Sequence, residues 1–286
     1  MIQPEIKVVG KGGISAKILA DSVNPAGKRL TSFEIEVHRL VWSEFLTHRV
    51  FSRNGASSRA IPTQKVIDMV RENPATPIHF GLNQPGMQAR EELQGEDLEQ
   101  AKRIWWLAAQ DAANRAQQMT HLKVHKQVIN RILEPFVMMK AVVTATELDN
   151  FFKLRLHSDA DPHIYELARV MDQAMKMSTP AQLTAGQWHV PYVTFKDGQY
   201  WVDADTPVDL DTAIKVSVSC CAQVSYRKLD TSIQKALDIY NRLIESKPEH
   251  ASPCEHQAMV PTEIRNLTAP CRNFVGWIQY RSILNI

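Results

Sequence analysis

The chain has 286 residues and a hydrophobic fraction of 44%, which is long for one domain, short for two and ample for a buried core. Its net charge of +2 argues against a partner as acidic as nucleic acid. Because the sequence has no run of about 18 apolar residues and no N-terminal signal-peptide pattern, we expect neither a membrane span nor secretion.

The first part of the chain predicts strands followed by helices. EIKVVG (5–10) and the alternating TSFEIEV (31–37) are typical of strands, and NPAGKR (24–29) is typical of a turn. HRLVWSEFLTHR (38–49) has apolar residues at helical spacing. PTQKVIDMVREN (62–73) begins with a proline and predicts a short helix, after which a loop rich in proline and glycine follows.

Helices predominate in the rest of the chain. Apolar periodicity predicts them over 95–122, 123–136, 145–158, 161–177, 209–226 and 230–246. Between the fourth and fifth of these, residues 186–203 predict a β-hairpin that turns at Asp197-Gly198. We therefore expect an α+β fold, with a larger part over 1–180 and a smaller part over 181–286.

The cysteines give little indication of a metal or disulfide site. They are Cys220, Cys221, Cys254 and Cys271. Since none forms a CxxC pair, we expect neither disulfides nor a metal, and a reducing, cytoplasmic environment fits this pattern. Cys254 lies near His250 and His256, so it is either a reactive thiol or, as we favour, a side chain packed in the interior.

The stretch FLTHRVFSRNGASSRAIP (45–62) concentrates hydrogen-bond donors. Arg49, Arg53 and Arg59 lie among serines and an asparagine, and a guanidinium matches a phosphate or carboxylate. Gly55 permits a ligand to approach the backbone closely. The stretch predicts a site for a small phosphate-bearing molecule rather than nucleic acid. A solvated surface loop with unrelated arginines is the alternative.

Three further features have two interpretations each. Arg131 in QVINRILEP and Arg155 in FFKLRLHS are arginines within apolar helices. Each fits either an anion clamp or a structural role, as a side chain that reaches the surface or pairs with a carboxylate. EHASPCEH (249–256) is either a polar turn that begins a helix or a further group of ligands.

These stretches resemble the flavin-dependent thymidylate synthases. That family carries Arg-His-Arg followed at set spacing by Ser, Asn-Glu, Ser and Arg, and THRVFSRNGASSR (47–59) keeps this register. Thr47, Gly55 and Ala60 stand where the family has Arg, Glu and Tyr. Glu44 stands where the family has a Gln. INRILEP and NFFKLR resemble two further family elements, Ala-Arg-x-x-Leu-Pro and Asn-Phe-x-x-Leu-Arg.

The end of the chain resembles a segment that precedes the Arg-His-Arg motif in the family. The matching residues are Ala222, Val224-Ser225-Tyr226, His250, Ser252-Pro253 and Glu255-His256. Residues 270–281 keep the spacing of the stretch that ends in Arg-His-Arg, although the triplet here is Gln279-Tyr280-Arg281. The chain thus resembles a rearranged or partly duplicated member of the family.

The resemblance implies a fold, a chemistry and a set of site residues. The fold is a central, mostly antiparallel sheet flanked by long helices. The ligands are FAD, NADPH, methylene-tetrahydrofolate and a pyrimidine deoxynucleotide monophosphate, bound in a homo-oligomer, a tetramer or dimer, with active sites between subunits. Arg155 would be the catalytic group that stabilises charge on the pyrimidine. The nucleotide would contact Glu44, Ser57, Arg59, Arg131 and Arg155, and the flavin would contact His48, Arg49, Asn54, Asn150, His250 and Ser252.

The departures from the family pattern leave the acceptor open. A carboxylate at Glu44 accepts a hydrogen bond from an exocyclic amine, such as the one that cytosine presents. We therefore expect the acceptor to be dUMP or dCMP, and the transferred group to be a methyl or a hydroxymethyl. A non-catalytic relative that binds a nucleotide or flavin is the further alternative.

Overall fold

The computed structural model describes residues 5–224 and 232–284 and centres on an antiparallel sheet. Its strands are β1 (Lys7–Val9), β2 (Ser15–Val23), β3 (Arg29–His38), β4 (Ser52–Gly55), β5 (Met138–Ala145) and β6 (Ala181–Gln182). Their order is β1-β2-β3-β5-β4, all antiparallel, and β6 lies parallel to β2. The mostly antiparallel sheet expected from the resemblance is confirmed.

Helices cover one face of this sheet and extend beyond its edge. They are α1 (Trp42–Phe45), α2 (Thr63–Glu72), α3 (Gly95–His121), α4 (Lys126–Leu133), α5 (Asp149–Arg155) and α6 (Pro162–Met177). α6 packs on the sheet, whereas α2, α3 and α4 form a separate small core in which the alanine face of α3 is buried. The expected flanking helices are confirmed.

Strand alternation divides the sheet into an apolar and a polar face. On β3, Phe33, Ile35 and Val37 are fully buried against α6, while Ser32 and Glu34 point the opposite way. We call these the apolar face and the polar face of the sheet.

Over the described residues 183–224 and 232–284, the C-terminal part consists of short strands and three α-helices. They are β7 (Trp188–His189), β8 (Thr194–Lys196), β9 (Gln199–Trp201), β10 (Pro207–Val208), α7 (Leu210–Ala222), α8 (Ile233–Glu245), β11 (Ala258–Met259), β12 (Pro270–Cys271), β13 (Phe274–Val275), β14 (Ile278–Gln279) and α9 (Tyr280–Leu284). The predicted hairpin turn at Asp197-Gly198 joins β8 to β9, with φ of 53° and 77°. The division of the chain at residue 180 stays a prediction.

A buried polar seam joins this part to the polar face of the sheet. Hydrogen bonds link Ser32 Oγ to Thr144 Oγ1 (2.6 Å) and to His189 Nε2 (2.8 Å). The seam continues from Thr144 Oγ1 to His256 Nδ1 (2.9 Å) and from His189 Nδ1 to Ser22 Oγ (2.9 Å). We call these five residues the histidine seam.

Several sequence expectations need correction. The helix predicted over 38–49 is a short 3-10 turn over 39–41 followed by the single turn α1, because β3 continues as far as His38. The strands β2, β4 and β5 were not predicted. Ser225 and Tyr226, at the end of a predicted helix, lie outside the described residues. Of the helices in the described ranges, none has the length and apolar character to cross a bilayer.

Candidate functional site

Arg155 is the centre of the first group of predicted site residues. It ends α5, and its guanidinium reaches α1 and the turn that follows α1. Nη1 donates a hydrogen bond to Glu44 Oε1 at 2.7 Å, and Nε donates to His48 Nε2 at 3.0 Å. The structure therefore brings together three predicted residues that lie 107 and 111 positions apart in sequence. We call them the Arg155 group.

His48 is held in this group by aromatic contacts. Its ring stacks on Phe51 with centroids 5.7 Å apart and meets the edge of Phe151 at 4.8 Å. Burial and the nearby guanidinium groups of Arg155 and Arg53 lower the pKa of His48 to about 4. The ring is therefore neutral near pH 7. Because Nε2 accepts from Arg155, the ring proton lies on Nδ1.

Arg53 has a structural role beside the Arg155 group. Its Nη1 donates to the carbonyl oxygens of Leu46 (2.8 Å) and His48 (2.9 Å). These bonds fix the turn that carries His48. One of the three arginines of the donor-rich stretch thus organises the backbone.

Asn54 and Ser252 form a second contact, on the polar face. Since side chains alternate along β4, Asn54 points away from Arg53. Its Nδ2 donates to the carbonyl oxygen of Cys221 at 2.8 Å, and Ser252 Oγ donates to Asn54 Oδ1 at 3.0 Å. Strand β4 and the C-terminal part therefore meet within one chain.

A third group surrounds Arg131 on α4. Its exposed Nη1 donates to Glu134 Oε1 at 2.9 Å, and the same carboxylate pairs with Arg39 (3.1 Å) and accepts from Ser58 Oγ (2.6 Å). Ser58, Arg39 and Glu134 also line a cavity of about 470 Å³. Sequence reasoning included Ser58 among the serines of the donor-rich stretch but missed Arg39, because only the fold shows that Arg39 lies beside Glu134.

The other predicted ligands are not joined to these groups. Arg49, Arg59 and Asn150 are exposed, and none of their side chains forms a hydrogen bond or ion pair with a described residue. Ser57 is half-buried. His250 is exposed and lines an open groove with residues of α8, so its side chain does not meet His48.

The structure explains one departure from the family pattern, at Gly55, and decides between the two interpretations of Cys254. A Cβ atom at Gly55 would lie 2.8 Å from Met139 Cε and 2.9 Å from Trp42 Cζ2. The larger Glu side chain of the family therefore does not fit while Trp42 packs there. Cys254 is fully buried, and burial raises the pKa of its thiol to about 12. The thiol is protonated at neutral pH, which supports the interior-packing interpretation.

Comparison with known proteins identifies the family. Residues 29–181, more than half of the chain, match the family described as thymidylate synthase complementing protein. The chain belongs to this family. The resemblance to the flavin-dependent thymidylate synthases is thereby confirmed. The matched segment contains the Arg155 group, Arg131 and Asn54, whereas His250 and Ser252 lie beyond it.

Solved structures also include a similar protein, a UMP/dUMP methylase PolB from Streptomyces cacaoi bound with 5-Br UMP. It is 16% identical to this chain, with a TM-score of 0.46, and the match covers 57% of this chain and 89% of that one. No curated protein matches the chain.

Proposed function

We propose that the protein is a flavin-dependent transferase that delivers a one-carbon unit to C5 of a pyrimidine deoxynucleotide. The unit would come from methylene-tetrahydrofolate, with NADPH as the reductant. The observation that carries this proposal is the convergence of Glu44, His48 and Arg155, all within the segment that matches the family.

Arg155 is suited to stabilise negative charge on a pyrimidine ring. A guanidinium has five N–H donors, and the contacts with Glu44 and His48 engage two of them. The remaining donors are available to a ring oxygen or nitrogen. Because both partners already fix the guanidinium, it needs little reorganisation as charge develops on the base.

Three residues are proposed to bind the nucleotide phosphate and sugar. Arg59 is exposed and forms no ion pair with a described residue, so its donors are available. The pair between Arg131 and Glu134 is solvent-exposed on the arginine side, and such pairs are weak. Arg131 can therefore exchange the carboxylate for a phosphate, which it would bind with Ser57.

The exposed side chains near β4 and α5 fit the expected flavin. Arg49 supplies a cation for a phosphate group, and Asn150, in the first turn of α5, supplies an amide for a heterocycle edge. His48, Asn54, His250 and Ser252 are proposed as the other flavin contacts. When bound, FAD supplies the hydride, while the chain orients the reactants.

Assembly into a homo-oligomer, a tetramer or dimer, is part of the proposal. Arg59 and Arg131 are exposed in the single chain, and α4 also exposes the apolar Val128 and Ile132 beside Arg131. Exposed apolar side chains beside site residues are typical of subunit contacts. They support a site completed by a second copy.

A direct assay tests the proposed function. The purified protein is examined for a flavin absorbance spectrum, then incubated with NADPH, methylene-tetrahydrofolate and either dUMP or dCMP. We expect a yellow protein and a nucleotide whose mass increases only when the folate is present.

The opposite outcomes are also informative. A flavin-binding protein that changes the mass of neither nucleotide would be a non-catalytic relative. A colourless protein that takes up no added FAD contradicts both interpretations.

A further inference from the structure

The ion pair between Glu44 and Arg155 places a hydrogen-bond acceptor beside hydrogen-bond donors. Glu44 Oε1 accepts from Arg155 Nη1, and Glu44 Oε2 forms no hydrogen bond with a described residue. The two side chains remain 35% and 19% exposed. Both groups can therefore contact the same ligand edge.

This chain carries its carboxylate at a different residue from the family's Glu. Where the family carries a Glu, this chain has Gly55 beneath Trp42 and Met139, so no carboxylate fits there. Glu44 instead extends from α1, the helical turn that begins with Trp42. The contact between Glu44 and Arg155 thus gives this chain a carboxylate next to the guanidinium proposed to contact the base.

A carboxylate distinguishes the two pyrimidine bases at ring position 4. Uracil has a carbonyl oxygen there, which an ionised carboxylate repels, whereas cytosine has an amine that donates to it. The neighbouring N3 of cytosine is an acceptor that suits a guanidinium N–H. Uracil can offer its N3–H to the carboxylate and one carbonyl oxygen to the guanidinium, but its other carbonyl oxygen then lies beside the carboxylate, which repels it. The paired donor and acceptor therefore match the N3 and N4 edge of cytosine better.

We propose that Glu44 selects a 4-aminopyrimidine deoxynucleotide, with dCMP preferred over dUMP. This inference rests on the proposed function, because it requires that Arg155 contacts the base. It goes further by assigning the acceptor class, and Glu44 is the specificity-determining residue.

Nucleotide binding to the flavin-loaded protein tests the inference. Dissociation constants for dCMP and dUMP are measured by calorimetry with the wild type and with Glu44→Gln. We expect the wild type to bind dCMP about ten- to a hundredfold more tightly than dUMP, as one base contact contributes. Because a Gln side chain donates as well as accepts, Glu44→Gln should lose most of this preference and gain affinity for dUMP.

Glu263→Gln is the matched control. Glu263 also pairs with an arginine, Arg265, at 2.7 Å, but it lies outside the site groups described above. This variant should keep the wild-type ratio of the two constants. Circular dichroism and thermal unfolding establish that each variant is folded.

The outcomes separate this inference from the proposed function. A wild type that prefers dUMP, or a Glu44→Gln variant with an unchanged ratio, overturns the role of Glu44 and leaves the proposed function intact. A wild type that binds neither nucleotide overturns both. If Glu44→Gln does not fold, Glu44→Asp takes its place, and it should keep a weaker preference for dCMP; a preference for dUMP in this variant contradicts the inference.

Discussion

The two faces of β4 differ in the partners that their side chains contact. On the apolar face, Arg53 fixes the turn that carries His48, next to the guanidinium of Arg155. One residue later, on the polar face, Asn54 bonds to Ser252 and to the carbonyl of Cys221. A strand of four residues thus connects the proposed catalytic arginine to the C-terminal part of the chain.

The two faces also differ in charge and in burial. The Arg155 group is charged and partly exposed, so it can meet a ligand. The histidine seam on the polar face is neutral and buried, and burial lowers the pKa of both His189 and His256 to about 3. We therefore expect changes on the apolar side to reduce activity and changes in the seam to reduce stability.

The largest expected effect is on turnover. Arg155→Ala removes the guanidinium that is proposed to stabilise charge on the pyrimidine, and the rate should fall by about 10²- to 10³-fold. Flavin absorbance should be retained, because the proposed flavin contacts are other residues. Turnover is measured from the mass of the nucleotide product, and thermal unfolding is measured in parallel.

Arg265→Ala is the control for this change, since Arg265 is an exposed arginine that also pairs with a glutamate. It should leave turnover unchanged. Undiminished turnover in Arg155→Ala would contradict the catalytic role and the proposed separation of the two faces.

The next largest expected effect is a loss of folding stability at acidic pH. The pKa of His256 is about 3 in the folded protein, whereas the ordinary value for histidine, which applies to the unfolded chain, is 6.5. Below pH 6.5 the unfolded chain binds protons that the folded chain excludes, so the free energy of unfolding falls as the pH is lowered. The slope approaches about 1.4 kcal/mol per pH unit for each such histidine. His256→Asn keeps a polar group toward Thr144 but does not titrate.

Urea unfolding at pH values from 7 to about 4 measures this slope. It should be shallower in His256→Asn than in the wild type, although not zero, because His189, His38 and His48 also have lowered pKa values. His121→Asn, at the exposed end of α3, is the control for removing an imidazole. An unchanged slope in His256→Asn would show that the seam is not buried in solution.

Periodicity and turn chemistry predicted much of the helical fold but only part of the sheet. The amphipathic α2 and α6 and the hairpin turn at Asp197-Gly198 have strong local signals. β5 is buried over most of its length, so its sequence MMKAVVTA lacks the alternation of a half-buried strand. β4 is short and polar, and only its pairing with β5 makes it a strand.

The candidate site was predictable as a set of residues but not as a geometry. The motif resemblance identified Glu44, His48 and Arg155, and the structure shows that they touch. The opposite orientations of Arg53 and Asn54 could not be predicted, because they depend on the unrecognised strand β4. Because Arg53 and Asn54 are adjacent in sequence, the motif instead suggested that they belong to one ligand site.

The smallest expected effect is the coupling between Asn54 and Ser252. Asn54→Ala removes the hydrogen bonds to both Ser252 and Cys221, whereas Ser252→Ala removes only the first. Unfolding free energies of the two single variants and the double variant give a coupling of about 0.5–1.5 kcal/mol, the net contribution of one hydrogen bond. The bond to Cys221 is lost in both variants that carry Asn54→Ala, so it cancels in the cycle. The coupling energy therefore reports only the contact between Asn54 and Ser252.

A matched cycle combines Asn54→Ala with Ser158→Ala, at an exposed serine after α5. These two changes should be additive, because the residues share no contact. If the cycle with Ser252 is equally additive, the C-terminal part is not held on the polar face through this bond. The assignment of Ser252 to the same site as Asn54 would then lose its structural basis, whereas the Arg155 group, on the other face, would be unaffected.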